Sequence, residues 1–224
     1  MTEELYAIYT AILTEELIPA MGCTEPIALA YAAARGREVL GAEPERILAR
    51  CSGNMIKNVR CVQIPNSGGM TGIEPAVCLG AFGGDAARRM EVLESVTGPV
   101  RQQAAEFIAA GHCTVEFLDS EIPLHFIVEL GRGADTVAVE VRYAHTNIVS
   151  ICKNGQSVFS GGEGQQGVQT DRSKLTIDAI KEYADTVPLD DISRIFERQI
   201  RCNMDIAYEG MSGHYGVGIG RMLQ

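Results

Sequence analysis

Close cysteine pairs are missing from this chain. Its seven cysteines, Cys23, Cys51, Cys61, Cys78, Cys113, Cys152 and Cys202, contain no CxxC spacing. An odd count at wide intervals argues against a disulfide framework and against a self-contained zinc site. Most of the seven lie in apolar surroundings and are expected in the core. Positive charge is also scarce. Nineteen Lys and Arg face 29 Asp and Glu, for a net charge of −10. That balance excludes a nucleic-acid binder and adhesion to anionic membranes. No apolar run approaches the ~20 residues of a membrane-spanning helix. The start is acidic (Glu3, Glu4) and amphipathic, unlike a secretory signal, so the expected compartment is the cytoplasm. The glycine-rich turn at 65–72 is spaced neither as GxGxxG nor as a Walker loop, which disfavours a nucleotide there. No lysine (Lys57, Lys153, Lys174, Lys181) has a Schiff-base context, which disfavours pyridoxal phosphate.

What is present is an ordinary globular composition, 46% hydrophobic and 21% charged over 224 residues. The length fits one large domain or two small ones. Leu5, Ile8, Tyr9, Ile12 and Leu13 fall at helical spacing, so the pattern predicts a helix over 3–17 that Pro19 stops. A second helix, 26–40, has Thr24 as its expected N-cap, Pro26 in its first turn and Gly41 as its C-terminal cap. A strand is expected at 47–51, a strand or an extended segment at 58–64, and helices at 73–83, 85–95 and 99–110. From Cys113 the period changes to two, which predicts strands near 113–118, 124–130, 135–143, 146–152 and 157–159. Ser160 to Gln169 reads as a linker. Helices return at 173–185 and 190–203, the latter capped by Asp190 with Ile192, Ile195, Phe196 and Ile200 as its apolar stripe. The expected fold is α+β, a helical layer with an inserted antiparallel β-meander. Its expected parts are 1–110, 111–165 and 166–224. The last part ends without a cap or polar tail and is expected to continue in a further half or against a partner.

Four polar clusters carry candidate chemistry. Cys23-Thr24-Glu25 opens a helix, where N–H groups and the dipole lower a thiol pKa and favour a thiolate. Neighbours at i and i+2 on a helix start do not face each other, so Glu25 is expected to serve the dipole rather than the thiol. Asn54, Lys57 and Asn58 form the second cluster. The third is Asn66-Ser67-Gly68-Gly69, a glycine-rich turn able to gather N–H groups around a small carboxylate. The fourth, His145-Thr146-Asn147, lies between two strands. His112, His125 and His214 have no partner pattern.

Gly22-Cys23-Thr24-Glu25-Pro26-Ile27-Ala28, Gly53-Asn54-Met55-Ile56-Lys57-Asn58-Val59, Ile64-Pro65-Asn66-Ser67-Gly68-Gly69 and His145-Thr146-Asn147-Ile148 together resemble signature blocks of the L-cysteine desulfidase family. That family is related to the α chain of iron–sulfur L-serine dehydratases. The resemblance implies a lyase that turns L-cysteine into pyruvate, ammonia and sulfide with a [4Fe–4S] cluster. It implies Cys23 and Glu25 as catalytic groups, with Cys23 as base or auxiliary iron ligand. Thr24, Asn54, Lys57, Asn58, Asn66, Ser67, Gly68, Gly69, His145 and Asn147 are then expected to bind the amino acid. The family's cluster cysteines belong to its C-terminal half, and Cys113, Cys152 and Cys202 are too widely spaced to replace them. The chain is therefore expected to be the N-terminal portion, with the other cluster ligands outside it and an exposed patch that favours a homo-oligomer. Two alternatives stay open: an L-serine dehydratase-like lyase, and a cluster-free module that binds an amino acid for regulation.

Overall fold

The computed structural model describes residues 1–162, 170–213 and 217–223. Most of the expected linker, 163–169, lies outside the described residues, as does His214. The chain divides into two compact units, Ala20–Gly167 and Met1–Pro19 with Val168–Gln224. Among the described residues no helix is long and apolar enough to cross a membrane.

The larger unit is α+β. Helices α2 (Thr24–Leu40), α3 (Gly53–Val59), α4 (Ile73–Gly83) and α5 (Gly98–Ala109) accompany strands β1 (Arg46–Cys51), β2 (Cys113–Phe117), β3 (His125–Arg132), β4 (Asp135–Arg142), β5 (Ile148–Lys153) and β6 (Gln156–Ser160). The strands form one six-stranded sheet in the order β2-β1-β3-β4-β5-β6. The expected meander is real for β3 to β6, which pair antiparallel in sequence order. The strand at Cys113 does not join that run. It lies parallel to β1, with Ala49 opposite Val115, while the other edge of β1 pairs antiparallel with β3. Residues 46–51 thus belong to the same sheet as the later strands.

Alternation decides which face is buried. Phe126, Val128 and Leu130 of β3, with Val137, Val139 and Val141 of β4, point into the core and are at most 1% exposed. Each such side chain contributes about 1.5–3 kcal/mol through removal from water. The opposite face carries charge. His125 Nε2 lies 2.9 Å from Glu140 Oε1, its Nδ1 lies 2.8 Å from Ser120 Oγ, and Arg142 Nε donates to Glu140 at 2.8 Å. His125 has partners on both ring nitrogens, which sequence spacing could not reveal because they come from two separate segments, the loop at Ser120 and strand β4. His125→Ala is expected to cost about 1–3 kcal/mol in urea unfolding, since it strips Glu140 and Ser120 of a buried partner. A loss under a few tenths would mean that water replaces the ring.

The helices are central because they are small-sided. Ile27 to Ala34 on α2 are all buried, most of them alanine. At Gly80 of α4, a Cβ would sit 2.2 Å from the Ala30 carbonyl oxygen, so α2 and α4 approach backbone to backbone. Arg37 ties the two helices by donating to the carbonyls of Ala81 and Gly84 at 3.2 and 2.7 Å, near the end of α4. Two sequence expectations fail here. Residues 58–64 are not a strand: Met55 and Val59, four apart, bury one face of the short helix α3, and the apparent alternation belongs to the loop beyond its end. The segment expected as a helix over 85–95 is a 3-10 turn over Ala86–Glu91, interrupted at Arg89 (φ 49°).

The smaller unit consists of α1 (Glu3–Glu16), α6 (Ile177–Thr186), α7 (Leu189–Ser212) and α8 (Ile219–Met222), with a 3-10 turn at Arg172–Lys174. Tyr9, Ile12 and Tyr183 are its buried hydrophobic residues among those described. Tyr9 Oη donates to the Lys174 carbonyl at 3.1 Å, and Arg172 pairs with Glu15 and Glu16 at 3.1 and 2.7 Å. Pro188, not Asp190, occupies the N-cap of α7; Asp190 and Asp191 sit in the first turn, where they complement the dipole. The expected stripe of α7 is only partly covered. Ile192, Ile195 and Phe196 are half-buried, whereas Ile200 is exposed.

Candidate functional site

The segment before α2 sets up the site. Gly22 adopts φ +121°, and a Cβ there would lie 3.6 Å from Pro65 Cγ, so the turn comes up against the glycine-rich loop. Cys23, not Thr24, is the N-cap residue of α2, in extended backbone and without a side-chain cap bond. That geometry frees its thiol to turn toward Glu25. Cys23 Sγ–H donates to Glu25 Oε2 at 3.4 Å, and Thr24 Oγ1 donates to the same oxygen at 3.3 Å. Glu25 Oε1 accepts from Asn58 Nδ2 at 3.0 Å, which brings α3 to the helix start. The expectation that Cys23 and Glu25 do not face each other is therefore corrected. The rule holds inside a helix, and Cys23 lies outside it.

The charges settle accordingly. Burial works against the Glu25 carboxylate. Its own backbone N–H, the Cys23 thiol, Asn58 and nearby His145 outweigh that, and hold the carboxyl below its ordinary value. Cys23 moves opposite to the sequence expectation. Burial first, then the hydrogen bond to Glu25 and its negative charge, raise the thiol pKa, so Cys23 is a neutral proton donor at neutral pH. The helix terminus helps the thiolate, but an adjacent carboxylate takes more away. His145 is pushed down by burial while the Glu25 charge pulls it up, and burial wins. It is a neutral imidazole. Its Nε2 is buried with no partner among the described residues.

His145 sits in the loop between β4 and β5. Asn147, 1% exposed, clamps that loop: its Nδ2 donates to the Arg142 carbonyl at 2.9 Å, and its N–H to the Ala144 carbonyl at 3.0 Å. Tyr143 takes a left-handed backbone (φ 69°), a strained conformation that the clamp sustains. Asn147 thus supports His145.

The second wall is the loop after α3. Gln63 and Thr71 bridge, and between them Asn66, Gly68 and Gly69 adopt φ of 55°, 76° and 100°. Asn66 Nδ2 donates to the carbonyls of Leu93 (3.0 Å), Glu94 (3.3 Å) and Val96 (2.9 Å). Ser67, 3% exposed, accepts the Gly69 N–H at 3.2 Å, and its own N–H goes to the Ile64 carbonyl. The Gly68 N–H has no partner among the described residues. Between this loop and Met21-Gly22-Cys23 lies an open cleft of about 510 Å³, walled also by Gln63, Pro65 and Ser67. Asn66→Ala is expected to lower stability by about 2–4 kcal/mol, because it combines a left-handed alanine with carbonyls left unpaired. Urea unfolding checks this, and an unchanged midpoint would deny Asn66 its anchoring role.

Cys23, Thr24, Glu25, Asn58 and His145 are thus drawn together, with Ser67, Gly68 and Gly69 across the cleft from Cys23. Asn54 and Lys57 stand exposed on α3, and no hydrogen bond joins them to the others among the described residues. Met21, Gln63 and Arg101 touch the loop or the cleft without any motif of their own, so sequence spacing does not reveal them.

The chain is similar to UPF0597 proteins. It is 39% identical over 223 residues to one from Desulfitobacterium hafniense, covering 99% of this chain and 52% of that protein. To one from Treponema denticola it is 40% identical over 218 residues, 96% of this chain and 51% of the other. A third, from Fusobacterium nucleatum, is 40% identical over 216 residues, with 95% and 50% covered. The chain spans about half the length of these curated relatives. No family model matches it. No solved structure matches it either.

The described residues do not fit an iron–sulfur cluster. Among them no group of three His, Cys, Asp or Glu side chains is placed to hold a metal ion. Cys51 is fully buried and pushed up to about 12 by burial and Glu74. Cys78 is raised by its contact with Cys113 and by burial. Cys23 is the lone thiol lining the cleft among the described residues.

Proposed function

We propose that this chain carries the acid–base site of a lyase that eliminates sulfide from L-cysteine. The carrying observation is the Glu25 carboxylate, ionised and held by Thr24, Asn58 and the Cys23 thiol, which itself lines the open cleft, with the neutral His145 nearby. The resemblance of four sequence blocks to the L-cysteine desulfidase family supports the choice of reaction. The implied [4Fe–4S] cluster finds no ligand set among the described residues, so no step is routed through it.

In this reading the glycine-rich loop receives the substrate carboxylate through the Gly68 N–H. Glu25 removes the Cα proton, and the Asn58 amide and the Thr24 hydroxyl hold the carboxylate in place to do so. The Cα–H electron pair forms the Cα–Cβ double bond, and the Cβ–S bond breaks with its pair on sulfur. The Cys23 thiol gives that sulfur a proton and retrieves one from Glu25. The 2-aminoacrylate released becomes its imine and takes up water to give pyruvate and ammonia.

The test uses the full-length protein, purified without oxygen and supplied with L-cysteine or L-serine. Sulfide, pyruvate and ammonia in equal amounts from L-cysteine are expected. Pyruvate from L-serine alone moves the assignment to a dehydratase. Binding of either amino acid without turnover moves it to a regulatory module, and neither binding nor turnover removes the reading.

A further inference from the structure

The loop that walls the cleft opposite Cys23 is held from behind by one cation. Arg101, on α5, donates from Nη1 to the Asn66 carbonyl oxygen at 3.2 Å and to Asn66 Oδ1 at 3.1 Å. Its stem runs along the loop: a Cβ on Gly68 would lie 3.4 Å from Arg101 Cδ and 3.7 Å from Nε. Asn66 is thereby gripped at both ends, its amide nitrogen on the carbonyls of 93–96 and its oxygens on the guanidinium. Arg101 has no carboxylate partner among the described residues. It does not line the cleft itself. An uncompensated guanidinium thus stands directly behind the residue whose N–H is free.

We infer that Arg101 is a positioning residue for the carboxylate of the amino-acid ligand. It acts through the loop. Its two bonds to Asn66 fix the loop that carries the positive-φ residues Asn66, Gly68 and Gly69, and that loop aims the Gly68 N–H. Its charge makes the loop electropositive where an anion must lose water. The inference rests on the reading of the cleft as an amino-acid site and adds the element that selects an acid over an uncharged analogue. A glycine at position 68 has two reasons: φ of 76°, and the arginine stem packed against it.

The experiment uses the full-length protein and the variants Arg101→Ala, Arg101→Gln and Arg101→Lys. Turnover of L-cysteine and of L-cysteinamide is measured, together with calorimetric binding of L-alanine, which has the carboxylate but no leaving group. The wild type is expected to prefer the acid. Arg101→Ala and Arg101→Gln are expected to raise KM for L-cysteine about tenfold or more, with kcat within about threefold, and to erase the preference for acid over amide. Arg101→Lys is expected to restore most of that preference. A merely structural arginine would lower yield and stability without touching the acid-to-amide ratio. If Arg101→Ala fails to fold, Arg101→Gln, which keeps a donor toward Asn66, decides. A retained preference in Arg101→Gln, or a loss confined to kcat, overturns the inference while the lyase reading stands. If the wild type neither turns over L-cysteine nor binds L-alanine, both fall together.

Discussion

If the proposed elimination is the reaction, Glu25→Gln in the full-length protein is expected to cut kcat for L-cysteine by about 10²–10⁴, the usual contribution of a placed general base, with KM nearly unchanged. The substitution is close to isosteric. The amide oxygen can still accept from Asn58, whose Nδ2 lies 3.0 Å from Oε1, so α3 keeps its tie to the start of α2. What disappears is the charge. A second readout depends on that charge and is independent of turnover. Glu25 raises the Cys23 thiol pKa through both a hydrogen bond and Coulomb repulsion of the thiolate. With the charge removed, the thiol pKa falls, the thiolate fraction at a given pH rises, and iodoacetamide labels Cys23 faster at pH 8. Burial, the largest cause of the shift, remains, so labelling stays slower than that of an open cysteine. One variant is thus expected to lose activity and gain thiol reactivity. Turnover that survives Glu25→Gln would remove Glu25 from the role of base. Unchanged labelling would mean that the contact between Cys23 and Glu25 is not maintained in solution.

That opposite motion also marks where sequence reasoning stops. The helix start at Cys23-Thr24-Glu25 and its apolar continuation are readable, because a cap position, a proline and an alanine run all obey local rules. The sign of the thiol shift is not. It depends on whether the Glu25 side chain curls back over the N-terminus, and that is decided by Asn58, thirty-three residues away. Helix α4 and strands β3 and β4 are legible because their apolar patterns are clean, and β6 because the Asn-Gly turn at 154–155 marks a hairpin. The strand at Cys113 is legible as a strand but not as a neighbour of β1, since strand order is a property of the packed sheet and not of alternation. Residues 58–64 mislead because Val59, Cys61 and Ile64 sit at spacings that serve both a helix end and a strand. Arg101 carries no signal at all. Its role exists only because α5 passes behind the loop at Asn66. The glycine-rich loop is legible as a turn; that Ser67 and Asn66 spend their side chains on holding it is not.

Gly80→Ala is expected to be the most destabilising single methyl in the larger unit, at about 3 kcal/mol or more. Overpacking usually costs about 1–3 kcal/mol because a flexible side chain can give way. Here nothing can. The added carbon would meet the Ala30 carbonyl oxygen at 2.2 Å, its Cα at 2.6 Å and its carbonyl carbon at 2.7 Å, all backbone. Helices α2 and α4 would have to separate along a contact made of alanines, and the gap would leave voids beside Ala76, Val77 and Ala33, each fully buried. Gly41→Ala provides the contrast. It meets nothing within 4 Å, and its left-handed φ of 82° costs about 1–2 kcal/mol. Urea unfolding of the two variants ranks them, with Gly80→Ala expected to lose more. The difference bears on the site as well. Thr24 and Glu25 are the first residues of α2, so a shift of that helix against α4 moves the carboxylate relative to Asn58 and to the loop at Ser67. Gly80→Ala is therefore expected to lose turnover even under conditions where it remains folded, whereas Gly41→Ala, at the far end of α2, keeps it. Equal unfolding midpoints for the two variants would show that α2 and α4 are not in backbone contact, and the placement of the site on the first turn of α2 would need to be redrawn.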